Sequence, residues 1–257
     1  MLIVISPAKT LDYATPAGAR KFTQPQYLEQ SEILNRVLQT YTPARLGKLM
    51  SISSDLAQLN AARNLQWAPP FSLNNARQAI FAFRGDVYTG LDIASFDEAD
   101  LAYTQQHLRI LSGLYGLLRP LDLMQPYRLE MGTSLPTDRG KNLYQFWGDT
   151  LTDGINNALK KAGSAVVVNL ASQEYFNAVD ARLLNGELLT PVFKDYSKGQ
   201  YKVISFFAKK ARGMMAAWIL KQRIEDPAGL LVFNETGYCH DPELSTAQSP
   251  VFVRRQE

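Results

Sequence analysis

Met1-Leu2-Ile3-Val4-Ile5-Ser6-Pro7-Ala8-Lys9-Thr10 is the stretch that decides the fold. Leu2 to Ile5 are an unbroken aliphatic run, the pattern of a strand covered on both faces. Pro7 stops that strand, because proline has no amide to donate to a ladder. Lys9 then falls in the loop just past the carboxyl end, the edge of an open α/β sheet where ligands usually sit. A solvated turn lysine is the plain alternative. Ala165-Val166-Val167-Val168-Asn169-Leu170 predicts a second buried strand. Asn169 and Ser172 stand at its end as Ser6 and Lys9 do at the first, so Ser6, Asn169 and Ser172 are candidate pocket residues.

Outward from these two strands the chain alternates irregularly between helix and strand patterns. Thr15-Pro16-Ala17-Gly18 and Thr23-Gln24-Pro25 mark an early loop. Thr42-Pro43 reads as a cap and first turn, opening a helix to Met50; a second runs from Asp55 to Gln66, and Pro69-Pro70 ends the unit. Ile80 to Phe83 predicts a strand. Ser95-Phe96-Asp97-Glu98 matches a capping box for a helix from Asp97 to about His107. Gly113 and Gly116 weigh Leu108 to Leu118 toward an extended form. Tyr144 to Lys161 predicts a helix. Further strands are predicted at Pro191–Phe193, Tyr201–Phe207, Leu230–Phe233 and Val251–Val253, with a hairpin turn at Asp195–Gly199. The expectation is an α/β (mixed α+β) fold, one compact domain over residues 1–257 with a mixed sheet and a helical insert at 42–67.

Composition sets the class. The 257 residues are 46% hydrophobic, enough for one large core, and the net charge of +3 demands no nucleic-acid partner by itself. One cysteine, Cys239, excludes an internal disulfide and a thiolate-rich zinc or iron–sulfur site within one chain. No basic n-region leads the apolar start, and no apolar run nears the roughly 20 residues that span a bilayer. The expectation is a cytoplasmic protein without a membrane partner. His107 and His240 sit in no spaced metal motif, Cys239-His240-Asp241 is too tight to wrap an ion, and no Walker A loop, Rossmann fingerprint or nucleophile elbow is present. No metal, cofactor or catalytic residue is assigned.

The remaining chemistry is cationic. In Phe206-Phe207-Ala208-Lys209-Lys210-Ala211-Arg212-Gly213 a strand pattern runs into a helix pattern. Lys209, Lys210 and Arg212 in a first turn are disfavoured by the macrodipole, while the free amides there favour an anion, so a phosphate held by both is one reading and solvated surface charge the other. Arg109, Arg119 and Arg128 form a second basic cluster, and arginine's planar fork suits phosphate. Tyr115 and Tyr127 between them could stack on bases. Against that, the tyrosines are core in the bland reading and Asp122 and Glu130 neutralise the arginines. The helices around Ser51-Ile52-Ser53-Ser54 resemble a helix-hairpin-helix, which grips a phosphate through hairpin amides. Its usual glycines are replaced by Ser-Ile-Ser-Ser here, with Ser53 as a candidate contact and Lys48, Asn60 and Arg63 flanking it.

Six blocks in order then resemble the bacterial peroxide-stress YaaA family: Leu2–Leu11, Gly85–Leu91, His107–Gly132, Leu143–Asp149, Asn169–Phe176 and Ala208–Gly213. The resemblance spans nearly the whole chain. It implies a cytosolic protein that limits hydrogen peroxide damage, linked to lower free intracellular iron and to protection of DNA. It also implies a mixed α/β fold of unusual topology, with a positively charged cleft and a helix-hairpin-helix-like element that bind double-stranded and branched DNA. By matching blocks, the cleft candidates are Lys9, Arg109, Arg119, Arg128, Lys209, Lys210 and Arg212. The rival expectation is an enzyme acting on a nucleotide or other phosphorylated small molecule in the same cleft.

Overall fold

The computed structural model describes residues 1–16 and 21–255; Ala17 and Gly18 of the early loop lie outside them. The fold is mixed α/β. Leu2–Ile5 is the middle strand of a five-stranded sheet. It pairs in parallel with Leu108–Ser112 on one side, Ile3 opposite Leu108, and with Val166–Asn169 on the other, Ile3 opposite Val168. Every residue of these three strands is buried, which is why their sequences do not alternate. Glu187–Leu189 closes one edge in parallel, and Gly116–Leu118 the other by antiparallel return from Leu108–Ser112. Leu108 to Leu118 is thus extended as expected, with Gly116 at φ 70° making the return possible.

A second, four-stranded sheet has the order Gln200–Lys202, Val192–Ser197, Val251–Arg254, Cys239–Asp241. Lys198 and Gly199, both at positive φ, form the expected hairpin turn between Ser197 and Gln200. Asp195 fixes the register: its buried carboxylate accepts from Arg254 Nε at 2.8 Å and from Tyr238 OH at 2.8 Å. The helix Ser205–Gln222 packs backbone to backbone on the short helix Asp86–Leu91. A Cβ on Gly213 would stand 1.9 Å from the Val87 oxygen, and one on Gly90 2.1 Å from that of Lys210. Only glycine at both positions allows this approach.

Several expected elements differ. Leu230–Phe233 is not a strand: Leu230 to Val232 end a 3-10 helix, Pro227–Val232, and Phe233 follows it, because Asp226 caps that helix and Pro227 presets its first φ. The strand expected over Tyr201–Phe207 stops at Lys202, and the helix begins at Ser205. Ile80–Phe83 splits into a helical turn, Ala79–Ala82, and a two-residue strand, Phe83–Arg84. The helix expected over Tyr144–Lys161 is two, Leu143–Trp147 and Thr150–Ala162, parted by Gly148 at φ 47°. The capping box sits at Asp97 and Asp100, two residues later than Ser95 and Glu98, because Ser95 closes a preceding 3-10 turn on Asp92. The two helices of the 42–67 insert are present as Pro43–Met50 and Ser54–Gln66, joined through Ser51 at φ 52°.

Candidate functional site

The carboxyl end of the central strand opens into a cavity of about 400 Å³. Ser6 and Lys9 enter it from the first strand's loop, Ser172 from the loop after Val166–Asn169 and Glu174 from the helical turn Gln173–Phe176 that follows, Tyr88 from the short helix Asp86–Leu91 and Lys209 from the long one. The two parallel strands end side by side, so their following loops must meet there. Ser6 Oγ accepts from the Ser172 amide at 2.8 Å and donates to Ser172 Oγ at 3.3 Å, which pins those loops together. Tyr88 OH donates to the Ser6 carbonyl at 3.1 Å. Burial pushes the Tyr88 and Tyr175 phenols up, so both are neutral donors near pH 7.

The charges form a chain. Lys9 Nζ is 2.8 Å from Glu130 Oε2, and Arg128 Nη2 is 3.3 Å from Glu130 Oε1. Arg63, on the second helix of the insert, lies close enough to Arg128 and Tyr13 for their charges to interact, and burial lowers its pKa. Glu174 accepts from the Gly132 amide at 3.0 Å, so one acid of the cavity is held by backbone. The Lys9 side chain is 63% exposed, and this pair is a weak, exchangeable one that an incoming phosphate can replace. Lys9 and Lys209 therefore share one cavity, Lys9 is joined to Arg128 through Glu130, and Arg63 lies near Arg128.

The other sequence candidates lie elsewhere, each for a visible reason. Asn169 turns Oδ1 to the Ala171 amide at 3.0 Å and does not line this cavity. Arg109 is buried, and its Nη1 donates to the carbonyls of Gln105, Gln106 and Leu108, closing the end of Glu98–His107. Burial brings its pKa down to about 10, which still leaves it charged near pH 7. Arg119 is committed to the buried Asp122, with Nη2–Oδ1 at 2.8 Å, and to the Gln24 carbonyl. Lys210 lines a smaller cavity with Phe206 and Arg254. Arg212 is half-buried, and that burial lowers its pKa.

The amino end of this helix also lies elsewhere than expected. With the helix starting at Ser205, Lys209, Lys210 and Arg212 fall beyond the first turn. Tyr115 and Tyr127 are core and offer no face to a base: Tyr115 OH donates to the Gln125 carbonyl and Tyr127 OH meets Ser112 Oγ. Lys48 lines an open hollow of the helical insert, and Ser53 Oγ is used as the cap for Leu56. Among the described residues no group of three His, Cys, Asp or Glu is placed to hold a metal ion, and no helix is long and apolar enough to cross a membrane.

Sequence reasoning missed Arg84, Arg77, Tyr88 and Tyr13. Arg84 reaches the cavity because Phe83–Arg84 pairs with Thr10–Leu11, placing Arg84 opposite Thr10 beside Lys9. A two-residue strand leaves no periodic signal to find.

Residues 1–244 match the family model described as "Peroxide stress protein YaaA". The chain belongs to that family. A Shewanella loihica protein named "UPF0246 protein" is 56% identical over 257 residues, covering all of both chains. A Cellvibrio japonicus protein of the same name is 57% identical over 256 residues, covering 100% of this chain and 99% of that one. A Shewanella baltica relative, "UPF0246 protein Shew185_1115", is 56% identical over the full length of both. Family membership carries the peroxide stress response with it.

Proposed function

We propose that this protein serves the peroxide stress response from the cytoplasm by binding double-stranded or branched DNA through its basic cleft. It acts as a shield rather than as a catalyst. The observation that carries this reading is the shared cavity of Lys9 and Lys209, linked through Glu130 to Arg128 and its neighbour Arg63, four cations drawn from a strand-end loop, a helix, an extended segment and the helical insert. Cations so arranged neutralise successive phosphates without reading sequence. The insert's Lys48 and Ser53 would extend the contact beyond the cleft.

Fluorescence anisotropy of labelled duplex and four-way-junction DNA across a salt series tests it. Four phosphate contacts give a slope of log K against log salt of about −3.6. Binding that ignores salt refutes the reading. We further propose that this role is linked to lower free intracellular iron, with no metal ion held by the protein itself. Stoichiometric Fe(II) uptake in equilibrium dialysis would overturn that part.

A second reading has its own support. Ser6, Ser172, Lys9, Tyr88 and Lys209 close on about 400 Å³, inside the range of small-molecule sites. A nucleotide or phosphorylated metabolite fits that volume and charge, and the cleft would then hold an enzyme's substrate. Thermal shift by nucleotides, with no DNA binding at low salt, selects this reading over the first.

A further inference from the structure

A second cavity, of about 440 Å³, shares Arg84 and Tyr88 with the first. Arg77 lines it and is only 9% exposed. Its backbone is fixed in the pairing of Arg77–Gln78 with Leu123–Met124. The guanidinium spends little of its donor capacity. Nη1 donates to the Thr15 carbonyl, and Nε is buried without a partner. No carboxylate among the described residues lies within ion-pair distance of it: the nearby Asp12 is engaged by Arg84 and by the amides of Ala14 and Thr15. A buried, underused guanidinium is costly unless something answers it.

The rest of the wall says what kind of molecule would do so. Ile80, Phe81, Phe83 and Ile93 give it apolar and aromatic surface, and Thr89 and Asp92 offer a hydroxyl and an acceptor. We propose that this cavity binds a small organic anion, its phosphate or carboxylate head on Arg77 and a planar or apolar body against Phe81 and Ile93. Arginine's fork suits either head. The site uses none of Lys9, Arg128, Arg63 or Lys209, and shares only wall residues such as Tyr88 and Arg84 with the cleft.

Isothermal titration with adenosine monophosphate and with benzoate, each against its uncharged counterpart adenosine or benzyl alcohol, tests the proposal and separates the two heads. At least one charged probe should bind while its counterpart does not. Arg77→Lys should weaken that binding tenfold or more, because an ammonium replaces a fork with a point charge. Ala94→Trp, which puts a bulky ring on the cavity wall and leaves Arg77 in place, should weaken it tenfold or more. Neither change should alter affinity for duplex DNA, and Lys9→Ala with Lys209→Ala should leave the small anion bound, so the two proposals fail separately. Charged and uncharged probes behaving alike would overturn the inference. So would undiminished binding by Arg77→Lys, or, should that variant not fold, by Ala94→Trp.

Discussion

Replacing Gly213 by alanine puts a methyl group 1.9 Å from the Val87 oxygen and 2.8 Å from the Leu91 nitrogen. Ordinary contact begins at 3.4 Å, so the two helices must part by about 1.5 Å or bend. Both atoms are backbone and have no rotamer to swing aside. Alanine favours the helix interior by about 1 kcal/mol over glycine. Overpacking of this kind costs about 1–3 kcal/mol, and a clash with backbone belongs at the upper end. The net expectation is a loss of about 2 kcal/mol, seen as a Tm lower by about 4–8 °C. DNA affinity should fall with it, because Lys209 rides on the helix that is displaced. Thermal and urea unfolding measure the first effect, and anisotropy the second. Gly47→Ala is the control: its methyl group would meet neighbours only at 3.5 and 3.6 Å, so stability should hold or rise. A Gly213→Ala protein as stable as the wild type would refute the close-packing argument.

Lys9→Ala and Lys209→Ala should each flatten the salt slope of DNA binding by about 0.9, with little change in Tm, as anisotropy and thermal melts together would show. Arg109→Met should do the reverse. It strips three carbonyls of their donor and should cost about 1–3 kcal/mol in urea unfolding while the salt slope stays unchanged. His107 is buried against Tyr103, and burial lowers its pKa despite the Met1 carbonyl at 3.1 Å. The folded state resists a proton that the unfolded chain takes up below pH about 6.5, so His107 contributes stability fully above that pH and loses it on acidification. His107→Gln should flatten the stability profile between pH 5 and 7, measured by urea midpoints.

The central sheet was legible because its strands are buried on both faces. Leu2–Ile5 and Val166–Asn169 are continuous apolar runs, and a proline or a polar residue ends each. That placement also made Ser6, Lys9 and Ser172 legible as neighbours lining one cavity, since adjacent parallel strands must deliver their loops to one edge. Arg109 and Arg119 were misleading for a physical reason. A buried guanidinium that closes a helix end or pairs with Asp122 has the same local sequence as one that faces a ligand. Arg77 and Arg84 stayed hidden because strands of two residues carry no period and are defined by their partners. Helix boundaries at Ser205 and Gly148 turned on tertiary packing and a single glycine, which pattern reading does not resolve.

The order of strands in the second sheet has a consequence for synthesis. Val251–Arg254 lies between Val192–Ser197 and Cys239–Asp241, yet the ribosome makes it after both. Until it emerges, those two strands each present an unpaired edge, and Asp195 waits without the Arg254 guanidinium that answers its buried charge. A polypeptide released before Val251 would keep its two edges open, exposing the kind of surface that aggregates or draws proteases. Closure of the second sheet thus waits on Val251–Arg254.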